Sequence, residues 1–414
     1  MIRKEVLPNN VRIVTESVPY VQSVSVGIWI ATGARDEDLD RRGACHFIEH
    51  MLFKGTESRS ASQIADEFDF LGGQLNAFTE KEYTCYYCKV LSEHLHQAVD
   101  ILADMFLNSL FRPDDVEVEK NVILEEIKRY EDTPEDLVHD VFALTAWDNH
   151  PLGNPILGRW ESVNNLTSDA LVRFMRERYT PDNIVIAAAG NLVHKALVEQ
   201  IASLFGGLEG RCPKPRHEAP VFSGSSAFTN RPTEQVHFCV GTSGFSQLDP
   251  DVYTLAVIDA ALGGSMSSRL FQEIRERRGL AYTIGSYSAS FREGGLFVVY
   301  GGTSRENMGQ VLELIKAEFT KLIKHNITPE ELVRAKNQIR GGLVLSQENM
   351  SSRMIRMAKS ELYLGRPIPL DELITLIQKV THDDIDRVAR KLFQDSPIAV
   401  ATIGPLDETK VVMN

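Results

Sequence analysis

The stretch "RPDDVEVEKNVILEE", residues 112–126, recurs in altered form as "ITPEELVRAKNQIRGG", residues 327–342. When the two copies are aligned, Pro113 meets Pro329, and the Lys-Asn pair that follows is the same in both. A segment with apolar residues three and four apart, typical of an amphipathic helix, precedes each copy. A repeat at about half the length of the chain predicts two related domains.

Strand patterns support the same division. Alternating apolar residues open both halves, as "SVSVGIWIATG" at 23–33 and as "EQVHFCVGTSG" at 234–244. Strands and helices then mix without a regular βαβ order, which predicts the α+β class, each domain a mixed, mostly antiparallel sheet packed with helices. The proline-rich, charged segment 208–222 is interpreted as a linker. The expected domains are therefore 1–207 and 223–414.

The composition limits the classes of protein to which the chain can belong. The 414 residues are 43% hydrophobic and carry a net charge of -13, which is typical of a soluble globular protein and disfavours nucleic acid as a partner. No run approaches the roughly 18 apolar residues of a membrane span. The start, "MIRKEVLPNN", lacks the apolar run of a secretory signal. We therefore expect neither nucleic-acid nor membrane partners.

The number and spacing of the cysteines indicate the cellular compartment of the protein. Five of them, an odd number and widely scattered, predict no disulfide framework and favour a reducing cytoplasm. Cys85 and Cys88 imitate a metal-binding C-x-x-C pair, but their β-branched and aromatic surroundings indicate a strand. Residues three apart on a strand point to opposite faces, so both cysteines are interpreted as packing residues.

One apolar segment contains a cluster of polar residues. "GACHFIEHMLFKGT", residues 43–56, places His46, Glu49 and His50 within five positions. On a helix these three side chains fall within about 100° of one another. Two imidazoles at i and i+4 can bind one ion, and H-x-x-E-H is the inverted zinc-peptidase motif. The aligned segment of the second half is "GSMSSRLF", so the cluster belongs to one half only.

A catalytic zinc site needs a third protein ligand. The first copy of the repeat predicts a helix that begins at Pro113, on which Glu119 and Glu126 share an apolar stripe with Val116, Val122 and Ile123. A metal ion could bind Glu126, and a ligand histidine could donate a hydrogen bond to Glu119. From the residues alone, an alternative stays open, in which both carboxylates lie at the edge of the stripe and reach water.

Taken together, these motifs resemble the pitrilysin-type zinc peptidases, and most of all the bacterial relatives of the mitochondrial processing peptidase β subunit. In that family a glutamate ligand follows the inverted motif by about 76 residues, which is the interval from His50 to Glu126. The resemblance implies that His46, His50 and Glu126 bind one zinc ion per chain. It also implies that Glu49 is the general base and that Glu119 is a supporting acid.

The same resemblance implies substrate contacts. "GGQLNAFTEKEYTCYY" is similar to the edge strand along which these enzymes pair an extended substrate, and it contains Asn76 and Ala77. "EIRERRGLAYTIGSYS" contains Arg275 and Tyr282, whose counterparts hold the substrate carbonyl and the developing oxyanion. From the residues alone, Asn76 and Ala77 would be ordinary strand residues and Arg275 a solvated helix residue.

These observations predict a zinc-dependent endopeptidase that hydrolyses peptides or unfolded polypeptide segments. The family resemblance further implies a homodimer that encloses a chamber. One alternative is a non-catalytic scaffold or assembly subunit on the same fold, like the core subunits of the respiratory bc1 complex. A second alternative is a storage or sensor zinc site. The complete motif disfavours the first alternative, and Glu49 disfavours the second, because a closed zinc site needs no base.

Overall fold

The computed structural model describes residues 2–148, 150–213 and 217–405. Residues 214–216 of the expected linker therefore lie outside the described part of the chain. None of the helices within the described ranges is both long and apolar enough to cross a membrane.

The described residues form mixed secondary structure. The strands are β1 (Ile2–Val6), β2 (Arg12–Ser17), β3 (Ser23–Ile30), β4 (Gln74–Thr79), β5 (Thr84–Leu91), β6 (Ile184–Gly190), β7 (Ser226–Asn230), β8 (Val236–Gly244), β9 (Ala281–Ser290), β10 (Gly295–Thr303) and β11 (Ala399–Gly404). The helices of the first half are α1 (Ala44–Met51), α2 (Ala61–Phe70), α3 (Leu95–Asn108), α4 (Pro113–Glu131), α5 (Pro134–Ala146), α6 (Trp160–Asn165), α7 (Ser168–Arg178) and α8 (His194–Phe205). Those of the second half are α9 (Val252–Leu262), α10 (Met308–His325), α11 (Pro329–Ser346), α12 (Met350–Leu364), α13 (Leu370–Lys379) and α14 (His382–Phe393), with a π-helical turn at Phe271–Glu276.

Two sheets repeat one topology. Their strand orders are β1-β2-β6-β3-β5-β4 and β7-β11-β8-β10-β9. Without β1 the orders correspond strand for strand, and the β2–β6 and β7–β11 pairs are both parallel. The remaining neighbours in each sheet are antiparallel. The predicted α+β class, with two related domains of mixed, mostly antiparallel sheets, is confirmed.

The chain forms two compact units that are not contiguous in sequence. Unit 1 comprises the described residues of Met1–Lys128, Pro155–Arg216 and Leu345–Pro369, and unit 2 comprises the rest. Compared with the expected boundaries at 207 and 223, the segments 129–154 and 345–369 change places. The chain first passes from unit 1 to unit 2 within α4, and its second return to unit 1 lies within α11.

The two segments that change places each cover the second face of a sheet. In unit 1, Met354 and Met357 of α12 pack with Val14, Trp29 and Cys85 on the sheet face opposite α1. In unit 2, α5 packs in the same way on the face opposite α10 and α14. An apolar sheet face must be buried, and in both units the covering helix comes from the other half of the sequence.

The two strand cysteines are packing residues, as predicted. Cys85 and Cys88 are fully buried free thiols on β5, on opposite faces of the sheet of unit 1. Cys85 belongs to the core beneath α12, and Cys88 belongs to the core that contains α1.

Candidate metal centre

Helix α1 presents the polar cluster because its other side is apolar. Ala44, Phe47, Ile48 and Met51 have no exposed surface and lie in the core of unit 1. Their spacing of three and four residues fixes the rotation of the helix, so the remaining face carries His46, Glu49 and His50. The predicted helical placement of the motif is confirmed.

The start of α1 is held by a tight turn and a buried carboxylate. Gly43 has φ of 92°, and a Cβ there would lie 2.9 Å from the Leu157 carbonyl oxygen, so this position requires glycine. Glu37 accepts hydrogen bonds from the Gly43 and Cys45 amides, each at 2.7 Å. These bonds satisfy amides that have no partner within the helix. Burial raises the pKa of Glu37 to about 8, although the two amides oppose the rise.

Three side chains converge on one point. The Nε2 atoms of His46 and His50 are 3.2 Å apart, and Glu126 Oε2 lies 3.9 Å from the first and 3.7 Å from the second. Donors bound tetrahedrally to one zinc ion are about 3.4 Å apart, so the three atoms fit such an ion. Within the described ranges, no other group of three His, Cys, Asp or Glu residues comes together in this way.

The two histidines are held differently. His50 Nδ1 lies 2.7 Å from Glu119 Oε1, which assigns the proton to Nδ1 and leaves the Nε2 lone pair free for a metal ion. Burial, together with the proximity of His50, lowers the pKa of His46 to about 3, so its ring is neutral and able to coordinate. His46 Nδ1 is buried and has no hydrogen-bond partner among the residues that the structure describes.

Glu119 is buried and paired, and it does not reach water. Its exposed fraction is 4%, and besides His50 it contacts the Lys54 ammonium. Burial favours a raised pKa, but the hydrogen bonds from His50 and Lys54 outweigh it and lower the pKa of Glu119 below its ordinary value. Glu126, with a 29% exposed side chain, is the more accessible of the two carboxylates. The structure thus places Glu119 and Glu126 in different environments on one helix.

Glu49 lies beside the three convergent atoms. Its Oε2 accepts a hydrogen bond from the Thr79 hydroxyl at 2.6 Å. Burial raises the pKa of Glu49, with the Thr79 hydrogen bond and the charge of His50 acting in the opposite direction. A carboxylate in this position can exchange a proton with a water molecule at the metal centre.

Comparison with known proteins identifies the family of the chain. Residues 12–159 match "Insulinase (Peptidase family M16)", and residues 165–339 match "Peptidase M16 inactive domain". The chain belongs to the M16 peptidase family. The "uncharacterized zinc protease YmxG" of Bacillus subtilis is 44% identical to it over 98% of both chains. A zinc protease of Streptomyces coelicolor is 42% identical over 98% of this chain and 90% of its own.

Solved structures share the fold at lower identity. An M16 inactive-domain protein of Pseudomonas fluorescens superimposes with a TM-score of 0.90 at 20% identity, over 98% of both chains. A chain of Complex III2 from Candida albicans superimposes with a TM-score of 0.86 at 22% identity, over 99% of this chain and 97% of its own. The predicted resemblance to pitrilysin-type zinc peptidases is confirmed.

β4, for which the sequence predicts a substrate-binding role, is an edge strand. β4 pairs with β5 and has no second neighbour within the described part of the sheet. Asn76 is exposed, and its side-chain oxygen accepts the Ala77 amide at 2.8 Å. The last residue of β4 is Thr79, which contacts Glu49. The open strand therefore ends at the metal centre of unit 1.

Arg275 and Tyr282 lie together in unit 2 of this M16 chain. The Arg275 guanidinium carbon is 4.9 Å from the centre of the Tyr282 ring and 4.6 Å from that of Phe271. Arg275 is in the π-helical turn, a feature that is frequent at functional sites. Tyr282 is the second residue of β9 and has 76% of its surface exposed, so its hydroxyl is available for binding.

Sequence reasoning missed Glu37, Lys54 and Thr79. Lys54 could have been found, because it follows His50 by four residues and its cation suits a carboxylate site. Glu37 and Thr79 carry no such local signal, since each meets α1 only through the tertiary fold. The exposure of Val122, at 48%, also shows that the apolar stripe of α4 is narrower than its spacing suggests.

Proposed function

We propose that the protein is a zinc-dependent endopeptidase that hydrolyses peptides or unfolded polypeptide segments, with one zinc ion per chain held by His46, His50 and Glu126. The observation that supports this most strongly is the convergence of three donor atoms with Glu49 beside them. A storage site would close the coordination sphere and would need no adjacent base. The relatives named as zinc proteases favour the same ion.

The residues of the chain suit hydrolysis by an activated water. Bound zinc would supply Lewis acidity to the water and to the scissile carbonyl. Glu49 takes a proton from the water as the water oxygen bonds to the carbonyl carbon. As the C–N bond breaks, Glu49 returns that proton to the amine nitrogen, so that one water is added in total. Glu119 orients His50 throughout by accepting its Nδ1–H.

Substrate binding is proposed along β4. An extended peptide can add to the open edge through backbone hydrogen bonds, which impose little sequence preference. The Ala77 amide, now satisfied by Asn76, would then bind the peptide instead. Arg275 and Tyr282 are proposed donors to the carbonyl oxygen, because their stacked arrangement presents a cation beside an exposed hydroxyl. A homodimer in the cytoplasm remains part of the proposal.

The decisive experiment uses an unstructured, internally quenched peptide pool. Wild type and Glu49→Gln are compared at equal zinc content, as measured by atomic emission. We expect cleavage by the wild type and a loss of turnover of about 10²- to 10⁴-fold in the variant, the usual contribution of a general base. Full activity in Glu49→Gln would disprove the assignment. Zinc binding without cleavage by either protein would favour the scaffold alternative.

A further inference from the structure

The Thr79 hydroxyl is the hydrogen-bond partner of Glu49. Thr79 is 9% exposed, and its Oγ1 donates to Glu49 Oε2 at 2.6 Å. Within the part of the chain that the structure describes, no other side chain or amide donates to this carboxylate, so Glu49 Oε1 has no partner. One oxygen of the base is therefore occupied by a hydroxyl, and the other is available to a water molecule.

The hydroxyl is held in place by a rigid turn. Thr79 pairs with Thr84 at the end of the β4–β5 ladder, and the turn between them is closed by the Glu80 amide, which donates to the Tyr83 carbonyl at 2.8 Å. Another segment of the same chain also holds this turn, because the Ala34 amide donates a hydrogen bond to the Glu80 carbonyl at 3.1 Å. Arg35 then anchors the same turn.

Arg35 makes two contacts with that turn. Its amide donates to the Lys81 carbonyl at 2.9 Å, and its buried guanidinium pairs with Glu82. Glu82 also accepts a hydrogen bond from the Tyr363 hydroxyl at 2.7 Å, which ties the turn to α12. The position of Thr79 is thus set by contacts within unit 1.

We propose that Thr79 is a positioning residue that selects Glu49 Oε1 as the proton-accepting atom. This inference rests on the proposed function. A glutamate has several rotatable bonds, and a general base must stay within about 2.6–3.2 Å of the proton that it removes. The hydroxyl holds Oε2 and so directs Oε1 to the water. The water proton moves to Oε1 and later to the leaving amine, while Thr79 keeps its own proton.

The location of Thr79 links the base to the substrate. Thr79 is the last residue of β4, the strand whose open edge is proposed to bind the peptide. One strand then aligns the scissile bond through its backbone and the base through its terminal hydroxyl. A displacement of about 1 Å in such an arrangement costs on the order of 100-fold in rate.

The test compares Thr79→Val, which has nearly the same shape without the hydroxyl, with Thr79→Ser, which keeps it. With the quenched peptides, we expect Thr79→Val to lower kcat about 10- to 100-fold with little change in KM, zinc content or melting temperature. Thr79→Ser should restore most of kcat. If Thr79→Val does not fold, Thr79→Ala replaces it, with the same expectation.

Thr84→Val is the matched control. Thr84 ends the same ladder, is fully buried and donates its hydroxyl to the Thr32 carbonyl at 3.0 Å. Removing this hydroxyl should lower stability and leave kcat unchanged in the folded protein. A wild-type kcat in Thr79→Val, or an equal loss of kcat in Thr84→Val, would overturn the inference. Absence of cleavage by the wild type would instead contradict the proposed function.

Discussion

Helix α4 of unit 1 and helix α11 of the second half follow the same repeat, and their chemistry differs completely. With Pro113 aligned to Pro329, Glu119 corresponds to Ala335 and Glu126 to Gly342. Glu119 and Ala335 are both buried, with 4% and 2% of their surfaces exposed. The corresponding helices contribute to the core of each unit, with a carboxylate at this position in one copy and a methyl group in the other.

The segments that face these helices differ in the same way. The aligned sequences "HFIEHMLF" and "GSMSSRLF" place His46 opposite Gly264 and His50 opposite Ser268. α1 is a regular helix of 8 residues, whereas the second segment ends at Phe271, the first residue of the π-helical turn. The architecture therefore forms without the polar cluster, and the buried charges of unit 1, which are costly to desolvate, are not required for folding. Their presence is explained by chemistry.

Of the substitutions considered in the two units, His50→Ala should have the largest effect on zinc binding and activity. This substitution removes a donor atom and the hydrogen-bond partner of Glu119, so we expect zinc content to fall close to zero and peptidase activity to disappear. The matched variant is Ser268→Ala in unit 2, whose hydroxyl only donates to the Ser265 carbonyl at 2.6 Å. It should retain its zinc. Normal zinc content in His50→Ala would contradict the ligand assignment.

Glu119→Ala makes the first copy of the helix resemble the second at that position. We expect the protein to fold, because Ala335 occupies the corresponding buried site, and its zinc affinity to weaken about 10- to 100-fold through loss of the His50 orientation. Competition with a chelator measures the affinity. Glu125→Ala is the control, since the Glu125 side chain is 72% exposed and pairs with Lys128. Equal affinities in the two variants would argue against a supporting role for Glu119.

A smaller effect, on the pH dependence of stability, is expected from Asp259, a buried acid of unit 2. Burial raises the pKa of Asp259 to about 6, although the Ser286 hydroxyl donates to it. Between pH 3.8 and about 6 the folded protein binds more protons here than the unfolded chain. The free energy of unfolding should therefore fall as pH rises through this range, by about 3 kcal/mol over the complete titration.

Asp259→Asn should remove that pH-dependent contribution. Chemical denaturation of wild type and variant at a series of pH values measures it, and the two stability curves should separate progressively from pH 4 to 6. Because Asp259 lies in unit 2, wild type and variant should have equal zinc content at each pH, although zinc affinity itself falls at low pH as the ligands are protonated. Parallel curves would show that the pKa of Asp259 is not raised.

The local part of the metal centre could be predicted from the sequence. The spacing of His46 and His50 determines that they share a helix face, and the interval to Glu126 matches a family pattern. The start of α4 at Pro113 was also predictable from local rules. Periodicity indicates only which face of an element a residue occupies. It does not indicate which element faces it, so the Thr79 and Glu37 contacts with α1 were not predictable.

Repeats and periodicity were sufficient to predict the two related halves and the α+β class. The spacing of four residues placed His46 and His50 on one helix face, whereas Glu126 was implied by the family resemblance. Only the tertiary structure decided that α5 and α12 exchange units, that Glu119 is buried between His50 and Lys54, and that the edge strand ends on Glu49. Those features depend on contacts between segments far apart in the chain. Such contacts are set by the burial of whole sheet faces and not by the preferences of any single segment.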